Sequence, residues 1–145
     1  MVKVKVVKEE GVVLPKYETS GSAGMDVRAN ITKPIVLGSL KRVLIPTGIK
    51  TAIPEGYELQ IRPRSGMALK HGITLINTPA TIDSDYRGDI GLIVANLSDV
   101  DYTIQPNERL GQFVLNKVEQ IEWEVVETLD ETERGTGGFG STGKN

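Results

Sequence analysis

The chain has no cysteine and one histidine, His71, among its 145 residues. Without cysteine it forms neither disulfides nor thiolate metal sites, and one histidine excludes a histidine-rich metal cluster. Aromatic residues are also scarce, with one Trp, four Tyr and two Phe. Any chemistry in this chain therefore depends chiefly on carboxylates, arginines, hydroxyls and backbone groups.

Long apolar runs and a strong charge of either sign are missing as well. No segment approaches the roughly 20 apolar residues that span a bilayer, and the opening MVKVKVVKEE lacks the apolar stretch of a signal peptide. A net charge of -2 provides no bulk attraction for nucleic acid or for an acidic membrane. We therefore expect a cytoplasmic protein that binds neither directly.

The length and the 39% hydrophobic content fit one domain with one core. Proline and glycine recur between short runs rich in Val, Ile, Leu and Thr, a pattern that indicates an all-β sandwich, jelly roll or barrel. The runs that we predict as strands are 2–7, 43–46, 57–62, 73–77, 90–95 and 121–126.

Residue patterns refine several of these elements. Segments 3–6 and 121–125 alternate apolar and polar residues, as half-buried strands do. Segment 90–95 does not alternate, which predicts a strand buried on both faces or at a subunit interface. Segment 110–118 fits a helix face or a strand, and its strand-like neighbours favour a strand. The best short helix is Ser65–His71, whose first residue offers a hydroxyl for the N-cap.

From about Asp130 the chain is polar, and five of its last 12 residues are glycine. Because this segment has little apolar surface to bury, we predict a β core over 1–129 and a flexible arm over 130–145. Residues 138–144 match most of the phosphate-binding P-loop pattern. However, Asn145 stands where that pattern needs a Ser or Thr for Mg²⁺, which argues against an NTP-binding P-loop.

The arm nevertheless has groups that suit an anion and a base. Its glycine-rich backbone can present several N–H groups to one anion, Ser141 and Thr142 add hydroxyls, and Arg134 adds positive charge. Phe139 has nothing local to bury it, so a nucleobase is a suitable partner. The alternative is a disordered tail with an incidental Phe.

Three further segments carry polar groups, each with a simpler structural explanation beside the functional one. Arg62-Pro-Arg-Ser-Gly66 combines two guanidinium groups, a hydroxyl and a predicted helix start, which suits phosphate, but a solvated arginine pair at a turn would look the same. Asp83 and Asp85 could act as metal ligands or as a base with its helper, although Asp-x-Asp is common in loops. Arg109 and Gln112 are candidate polar contacts or parts of an exposed hairpin.

Taken in order, five segments resemble the five motifs of the trimeric dUTPase family. They are Ala-Gly-Met-Asp-Val at 23–27, Pro-Arg-Ser-Gly-Met-Ala at 63–68, Thr-Ile-Asp-Ser-Asp-Tyr-Arg-Gly at 81–88, Glu-Arg-Leu-Gly-Gln at 108–112 and Arg-Gly-Thr-Gly-Gly-Phe-Gly-Ser-Thr-Gly at 134–143. The third and fifth are individually specific. The resemblance implies a β jelly-roll protomer with one short helix, assembled into a homotrimer with active sites at the subunit interfaces.

The resemblance also implies a reaction, in which dUTP and water give dUMP and pyrophosphate, with Mg²⁺ chelated by the triphosphate. Asp83 would hold and activate the water that attacks the α-phosphorus. Asn77, Ile82 and the backbone of the 77–86 hairpin would bind the uracil. Tyr86 would lie against the deoxyribose and leave no room for a 2′-OH.

The remaining roles that the resemblance implies concern the phosphates. Arg64, Ser65 and Gly66 would bind phosphate from a neighbouring subunit together with Gln112, and Asp26 would reach the metal indirectly, through its water shell. The arm residues implied to contact substrate are Phe139 over the uracil, Arg134 at the γ-phosphate, and Gly140, Ser141 and Thr142 around the phosphates.

Several departures from the family pattern and two alternatives remain open, and Met67 and Gly111 replace a common Leu and Ala. Ala80-Thr81 stands where the family usually has Gly and an aliphatic residue, and Asn107 replaces a Gly. A dCTP deaminase of the same fold would need a catalytic Glu near the base and usually a longer chain. A non-catalytic nucleotide-binding trimer would lack the water-holding carboxylate, which Asp83 supplies.

Overall fold

The computed structural model describes residues 1–138, which form eleven strands and one helix and so confirm the all-β prediction. In chain order these elements are β1 (Lys5–Lys8), β2 (Met25–Arg28), β3 (Ile35–Leu37), β4 (Arg42–Pro46), β5 (Ile49–Ala52), β6 (Tyr57–Pro63), α1 (Ser65–His71), β7 (Ile73–Leu75), β8 (Ala80–Ile82), β9 (Gly91–Asn96), β10 (Tyr102–Ile104) and β11 (Arg109–Lys117).

The strands form four antiparallel sheets. The largest has the order β2-β11-β6-β8, a second has the order β4-β9-β7, and β1-β5 and β10-β3 are pairs. The nine-residue β11 pairs with β2 on one side and β6 on the other, which confirms that segment 110–118 is largely a strand. Two strand neighbours satisfy its backbone groups, so the competing helix has no advantage there.

The core lies between the sheets and is built almost wholly from aliphatic side chains. Its members from the largest sheet include Val27, Ile61 and Phe113, each 3% exposed or less. The central strand β9 buries Leu92 and Val94 on one face and Ala95 on the other. This burial on both faces confirms the prediction for segment 90–95.

Two predictions of half-buried strands are wrong for the single chain. Segment 121–126 forms no strand, and Ile121, Trp123 and Val125 are 71%, 83% and 94% exposed. Despite its alternation, this segment pairs with no strand in the described part of the chain. The first strand begins at Lys5 rather than at residue 2, and all four of its residues are exposed, with Val6 lining an open groove.

The helix spans Ser65–His71, as predicted, but the capping prediction is wrong. Arg64 is the N-cap residue, with an extended backbone, and no side chain caps the helix. The helix ends at Gly72, where the φ of 63° and the backbone of Ser98, 3.1 Å from a would-be Cβ, both favour glycine. No helix within residues 1–138 is long and apolar enough to cross a membrane.

Candidate active site

One polar cluster lies where β2, β11 and the start of α1 meet, and we call it the Asp26 cluster: Asp26, Arg64, Arg109 and Gln112. Asp26 Oδ1 accepts hydrogen bonds from Arg64 Nε and Gln112 Nε2, both at 3.2 Å. Asp26 Oδ2 accepts one from Arg109 Nη1, also at 3.2 Å. The sheet explains this convergence, because the register places Gln112 directly opposite Asp26.

The charges of the Asp26 cluster favour an anion. Two guanidinium groups share one carboxylate, whose side chain is only 15% exposed, so one positive charge stays unbalanced. Arg64 also donates from Nη1 to the carbonyl of Arg109, which orients its guanidinium plane. The side chains of Arg64 and Arg109 remain 26% and 46% exposed. Their unused N–H groups can therefore bind a phosphate that approaches from solvent.

Ser65 and Gly66 follow Arg64 as the first two residues of the helix. Both are exposed, and a Cβ at Gly66 would meet nothing within 4 Å. The hydroxyl of Ser65 makes no capping bond. This hydroxyl and the first backbone N–H groups of α1 stay available beside the guanidinium of Arg64.

A second group lies on the opposite edge of the same sheet. Asp83 follows directly after β8 and is exposed, while Ile82 before it is half-buried and packs against the core. The backbone N–H of Tyr86 donates to the carbonyl of Asp83 at 3.2 Å, which closes a turn. Asn77 is exposed ahead of β8. We call residues 83–89 the Asp83 turn.

Arginine and tyrosine side chains brace the Asp83 turn from within. Arg87 Nη1 donates to the carbonyl of Ser84 at 2.7 Å and to that of Tyr86 at 3.0 Å. The hydroxyl of Tyr86 donates to the carbonyl of Asp89 at 3.0 Å. These bonds hold the turn in one conformation although most of its side chains are exposed.

Asp83 and Asp85 line one cleft of about 620 Å³, as do Glu58 and Arg87. Among residues 1–138, however, no three Asp, Glu or His side chains come together as metal ligands. This part of the chain therefore has no preformed all-protein metal site. The carboxylate of Asp83 is exposed and so is accessible to water.

The single chain keeps the Asp26 cluster and the Asp83 turn apart. The register places Asp26 level with Arg62 of β6, and Ile82 level with Leu59, three residues further along. Asp83 follows Ile82 and so lies level with Glu58, four residues from Arg62. Because β2 and β8 are also three strand spacings apart, Asp26 and Asp83 lie on the order of 20 Å from each other. One chain alone does not surround a substrate with both groups.

The arm is described only in part. Arg134 Nε donates to the carbonyl of Gly137 at 2.8 Å, and the N–H of Gly135 donates to the carbonyl of Thr132 at 3.0 Å. Arg134 is exposed, and its side-chain hydrogen bond goes to Gly137 rather than to either polar group described above. The other predicted arm contacts, Phe139, Gly140, Ser141 and Thr142, lie outside the described residues.

Sequence reasoning missed the partner of Glu108. The hydroxyl of Tyr102 donates to Glu108 Oε1, and Glu108 Oε2 accepts the N–H of Gln105 at 2.8 Å. Burial, and then the hydrogen bond to Glu108 and its negative charge, raise the pKa of Tyr102 above its ordinary value. The Tyr102 ring also packs on His71, with centroids 5.2 Å apart. Nothing in the local sequence pattern signals this contact between helix and turn.

An all-β chain with an arginine-rich anion surface at one sheet edge and an Asp–Tyr turn at the other has the makeup of a nucleotide-binding protein. Comparison with known proteins identifies which kind. The sequence model of the dUTPase family matches residues 10–143. The chain therefore belongs to the dUTPase family.

Individual relatives cover nearly the whole chain. The deoxyuridine 5'-triphosphate nucleotidohydrolase of Fusobacterium nucleatum is 71% identical over 99% of this chain and 98% of its own, and that of Finegoldia magna is 58% identical over 97% and 99%. Among solved structures, the dUTPase of Staphylococcus bacteriophage 80alpha with dUPNHPP superposes with a TM-score of 0.87 at 24% identity, covering 98% of this chain and 99% of its own. This likeness confirms the jelly-roll-like β fold.

Proposed function

We propose that the protein hydrolyses dUTP to dUMP and pyrophosphate. The observation that carries the proposal is the pairing, on one sheet, of an exposed carboxylate beside a tyrosine with an arginine cluster suited to phosphates. Membership of the dUTPase family and the names of the relatives support the choice of substrate. We further propose that the enzyme acts on free nucleotide in the cytoplasm and binds neither nucleic acid nor membranes.

Asp83 is the proposed catalytic residue. An ionised carboxylate only accepts hydrogen bonds, so it can hold a water molecule and take its proton as the oxygen attacks the α-phosphorus. Its position directly after a paired strand, with its carbonyl closing the turn to Tyr86, fixes the backbone from which it projects. Breaking the bond between the α-phosphorus and its bridging oxygen releases pyrophosphate and leaves dUMP.

The 77–86 hairpin is the proposed base and sugar site. Asn77 and the backbone around Ile82 offer donors and acceptors of the kind that the uracil edge needs. Tyr86 is 44% exposed, enough for one face of its ring to contact deoxyribose. A ring held against C2′ of the sugar leaves no space for a hydroxyl there.

The proposed triphosphate site is formed by Arg64, Ser65, Gly66 and Gln112 of a neighbouring subunit. One dUTP must contact both the water at Asp83 and these donors, which lie too far from Asp83 within one chain. A second copy of the protein can supply them. This requirement supports active sites between subunits, and the resemblance to the trimeric dUTPases favours a homotrimer as the assembly.

Exposed apolar surface also supports the homotrimer. The alternating residues Ile121, Trp123 and Val125 stand in solvent in the single chain. Within residues 1–138, β1 has one strand neighbour, β5. The groove beside β1 is lined by Val2, Val4, Val6, Leu14, Tyr17 and Leu115, among others. Exposed apolar surface of this extent is typical of an interface between subunits.

Mg²⁺ is the proposed cofactor, with Asp26 as its indirect contact. The carboxylate of Asp26 offers about four lone-pair positions, and hydrogen bonds from Arg64, Arg109 and Gln112 use three of them. The lone-pair position that remains on Asp26 therefore suits a hydrogen bond from one water of a hydrated ion better than direct coordination of the ion. Mg²⁺ commonly keeps several waters and binds through substrate phosphates. When bound there, it neutralises phosphate charge and polarises the phosphoryl oxygens.

The arm, residues 130–145, is proposed to close over the substrate bound to the core of residues 1–129. Arg134 would reach the γ-phosphate and Phe139 would cover the uracil, while Gly140, Ser141 and Thr142 would surround the phosphates. Only local hydrogen bonds hold Arg134 in the described structure, so it can move to a ligand at little cost. Closure would exclude water other than the nucleophile.

The direct test is pyrophosphate release by the purified protein with Mg²⁺ from dUTP, dTTP, dCTP and UTP, each assayed separately. We expect rapid release from dUTP and very little from the other three. Comparable turnover of all four would contradict a uracil- and deoxyribose-specific site. Release of ammonia from dCTP would instead indicate a deaminase.

A further inference from the structure

We propose that Gly88 is a positioning residue for sugar selectivity, because its missing side chain leaves the space that the ring of Tyr86 occupies. The proposal rests on the proposed function, in which Tyr86 lies against the deoxyribose. Gly88 itself contacts no substrate in this account. It acts indirectly, because its missing side chain leaves room for the tyrosine ring in its present position.

Space, rather than backbone conformation, requires a glycine at this position. A Cβ placed on Gly88 would lie 2.3 Å from Tyr86 Oη, 2.5 Å from Cζ and 3.0 Å from Cε2. Real Cβ atoms essentially never approach another heavy atom so closely. The φ of Gly88 lies outside the left-handed region that favours glycine, so its backbone is open to other residues. The three atoms nearest to a Cβ at position 88 all belong to Tyr86, so a side chain there collides first with the tyrosine ring.

The tyrosine can relieve this collision only by leaving its present position. Its hydroxyl donates to the carbonyl of Asp89, one residue beyond Gly88, and its backbone N–H donates to the carbonyl of Asp83. Because three atoms along one edge of a rigid ring would collide, the whole ring must turn away. That movement breaks the hydroxyl bond to Asp89 and carries the ring out of its present position.

The expected consequence is a loss of selectivity rather than a loss of fold. Gly88 is half-buried in the Asp83 turn, and Tyr86 is substantially exposed, so a displaced ring can move into solvent. The space it leaves can then accept a 2′-OH. A pocket without a partner for an added hydroxyl discriminates against it by about 100-fold, so a loss of selectivity should be easy to measure.

The experiment compares kcat/KM for dUTP and for UTP in the wild type and in Gly88→Ala. The variant should hydrolyse dUTP, and its dUTP/UTP ratio should fall at least about tenfold. Gly21→Ala is the matched control, since a Cβ there meets nothing within 4 Å, and it should keep the wild-type ratio. An active Gly88→Ala with an unchanged ratio overturns this inference alone. A wild type that does not hydrolyse dUTP overturns the proposed function as well.

A second pair of variants tests whether Gly88 acts through the tyrosine ring. In a Tyr86→Ala background, adding Gly88→Ala should change the dUTP/UTP ratio by less than about twofold, because the collision partner is gone. A further large fall in that background contradicts the inference. If Gly88→Ala alone fails to fold, recovery of the fold in the double variant supports the collision, and failure of both contradicts it.

Discussion

The Asp26 cluster and the Asp83 turn occupy opposite edges of one sheet and are held in place by different means. Contacts across long stretches of sequence fix the cluster: Asp26 meets Arg64, 38 residues away, and Gln112, 86 residues away. Hydrogen bonds between residues at most three apart in sequence brace the turn. The sheet therefore positions the charged groups of the Asp26 cluster, whereas hydrogen bonds within a short sequence brace the turn that carries the candidate catalytic carboxylate.

This difference has a consequence for assembly. Charges fixed by the sheet can bind phosphate without reorganising, and a braced turn can hold a water molecule, but neither is sufficient alone. In the proposed trimer each interface unites one turn with one cluster. Activity would then depend on association between subunits as well as on the folding of each chain.

The largest effect should come from the turn, through Asp83→Asn. The amide keeps the shape of the side chain but loses the ability to take a proton from water, so kcat should fall by about 10²–10⁴-fold. The affinity for dUTP should change little. Single-turnover pyrophosphate release and equilibrium binding separate the two quantities. Asp85→Asn, in the same cleft, is the matched control, and an equal loss of kcat there would remove the special role of Asp83.

A smaller effect should come from the cluster, through Asp26→Asn. Losing the carboxylate charge releases two guanidinium groups that it now orients, so KM for dUTP should rise about tenfold, as expected when charge-assisted hydrogen bonds weaken. The Mg²⁺ concentration for half-maximal rate should rise as well, while kcat stays within a few-fold. Asp101→Asn, at an exposed turn, is the control. A collapse of kcat with an unchanged KM would contradict the division between charge placement and chemistry.

The smallest effect should come from Tyr102→Phe, beside the cluster. Losing the hydroxyl bond to Glu108 should lower the free energy of unfolding by about 1–2 kcal/mol and leave kcat nearly unchanged. Tyr57→Phe is the control, because Tyr57 is half-buried and its hydroxyl makes no hydrogen bond within the described residues. This variant should lower the free energy of unfolding by less. Chemical denaturation at one protein concentration measures both, because trimer stability depends on concentration. Equal losses would mean that the Glu108 bond contributes nothing measurable.

The contribution of Tyr102 to the free energy of unfolding should also depend on pH in a defined direction. Its folded pKa is raised above the ordinary value of 10.0, so the stabilisation is fully present below pH 10 and declines as pH rises further. The difference in stability between wild type and Tyr102→Phe should therefore narrow above pH 10. A difference that stays constant between pH 8 and 11 would contradict the raised pKa.

Much of the fold follows from local sequence. The all-β class, the bounds of α1 and the strand over 110–118 are predictable because turn residues and β-branched runs act over a few positions. The strand expected over 121–126 is absent because alternation specifies a strand but not its partner. Ser65 does not cap the helix, since the preceding Arg64 already takes the N-cap position with an extended backbone.

The site was predictable as a set of residues but not as an arrangement. Five short motifs placed Asp26, Arg64, Asp83 and Gln112 on the candidate list. Neither the three hydrogen bonds on Asp26 nor the bond between Tyr102 and Glu108 could be predicted, because strand register brings such residues together from distant positions. The separation of Asp26 from Asp83 across the sheet likewise follows only from the strand order.

The most direct test of the central claim is to mix two inactive variants. Asp83→Asn lacks the carboxylate and Arg64→Ala lacks the proposed phosphate ligand, and each should be nearly inactive alone. After the two are unfolded together in equal amounts and refolded, a site formed between subunits regains both groups in about one quarter of the interfaces of a randomly assembled trimer. We therefore predict dUTP hydrolysis at about one quarter of the wild-type rate. A mixture no more active than its components would show that both residues act within one subunit and would contradict the account.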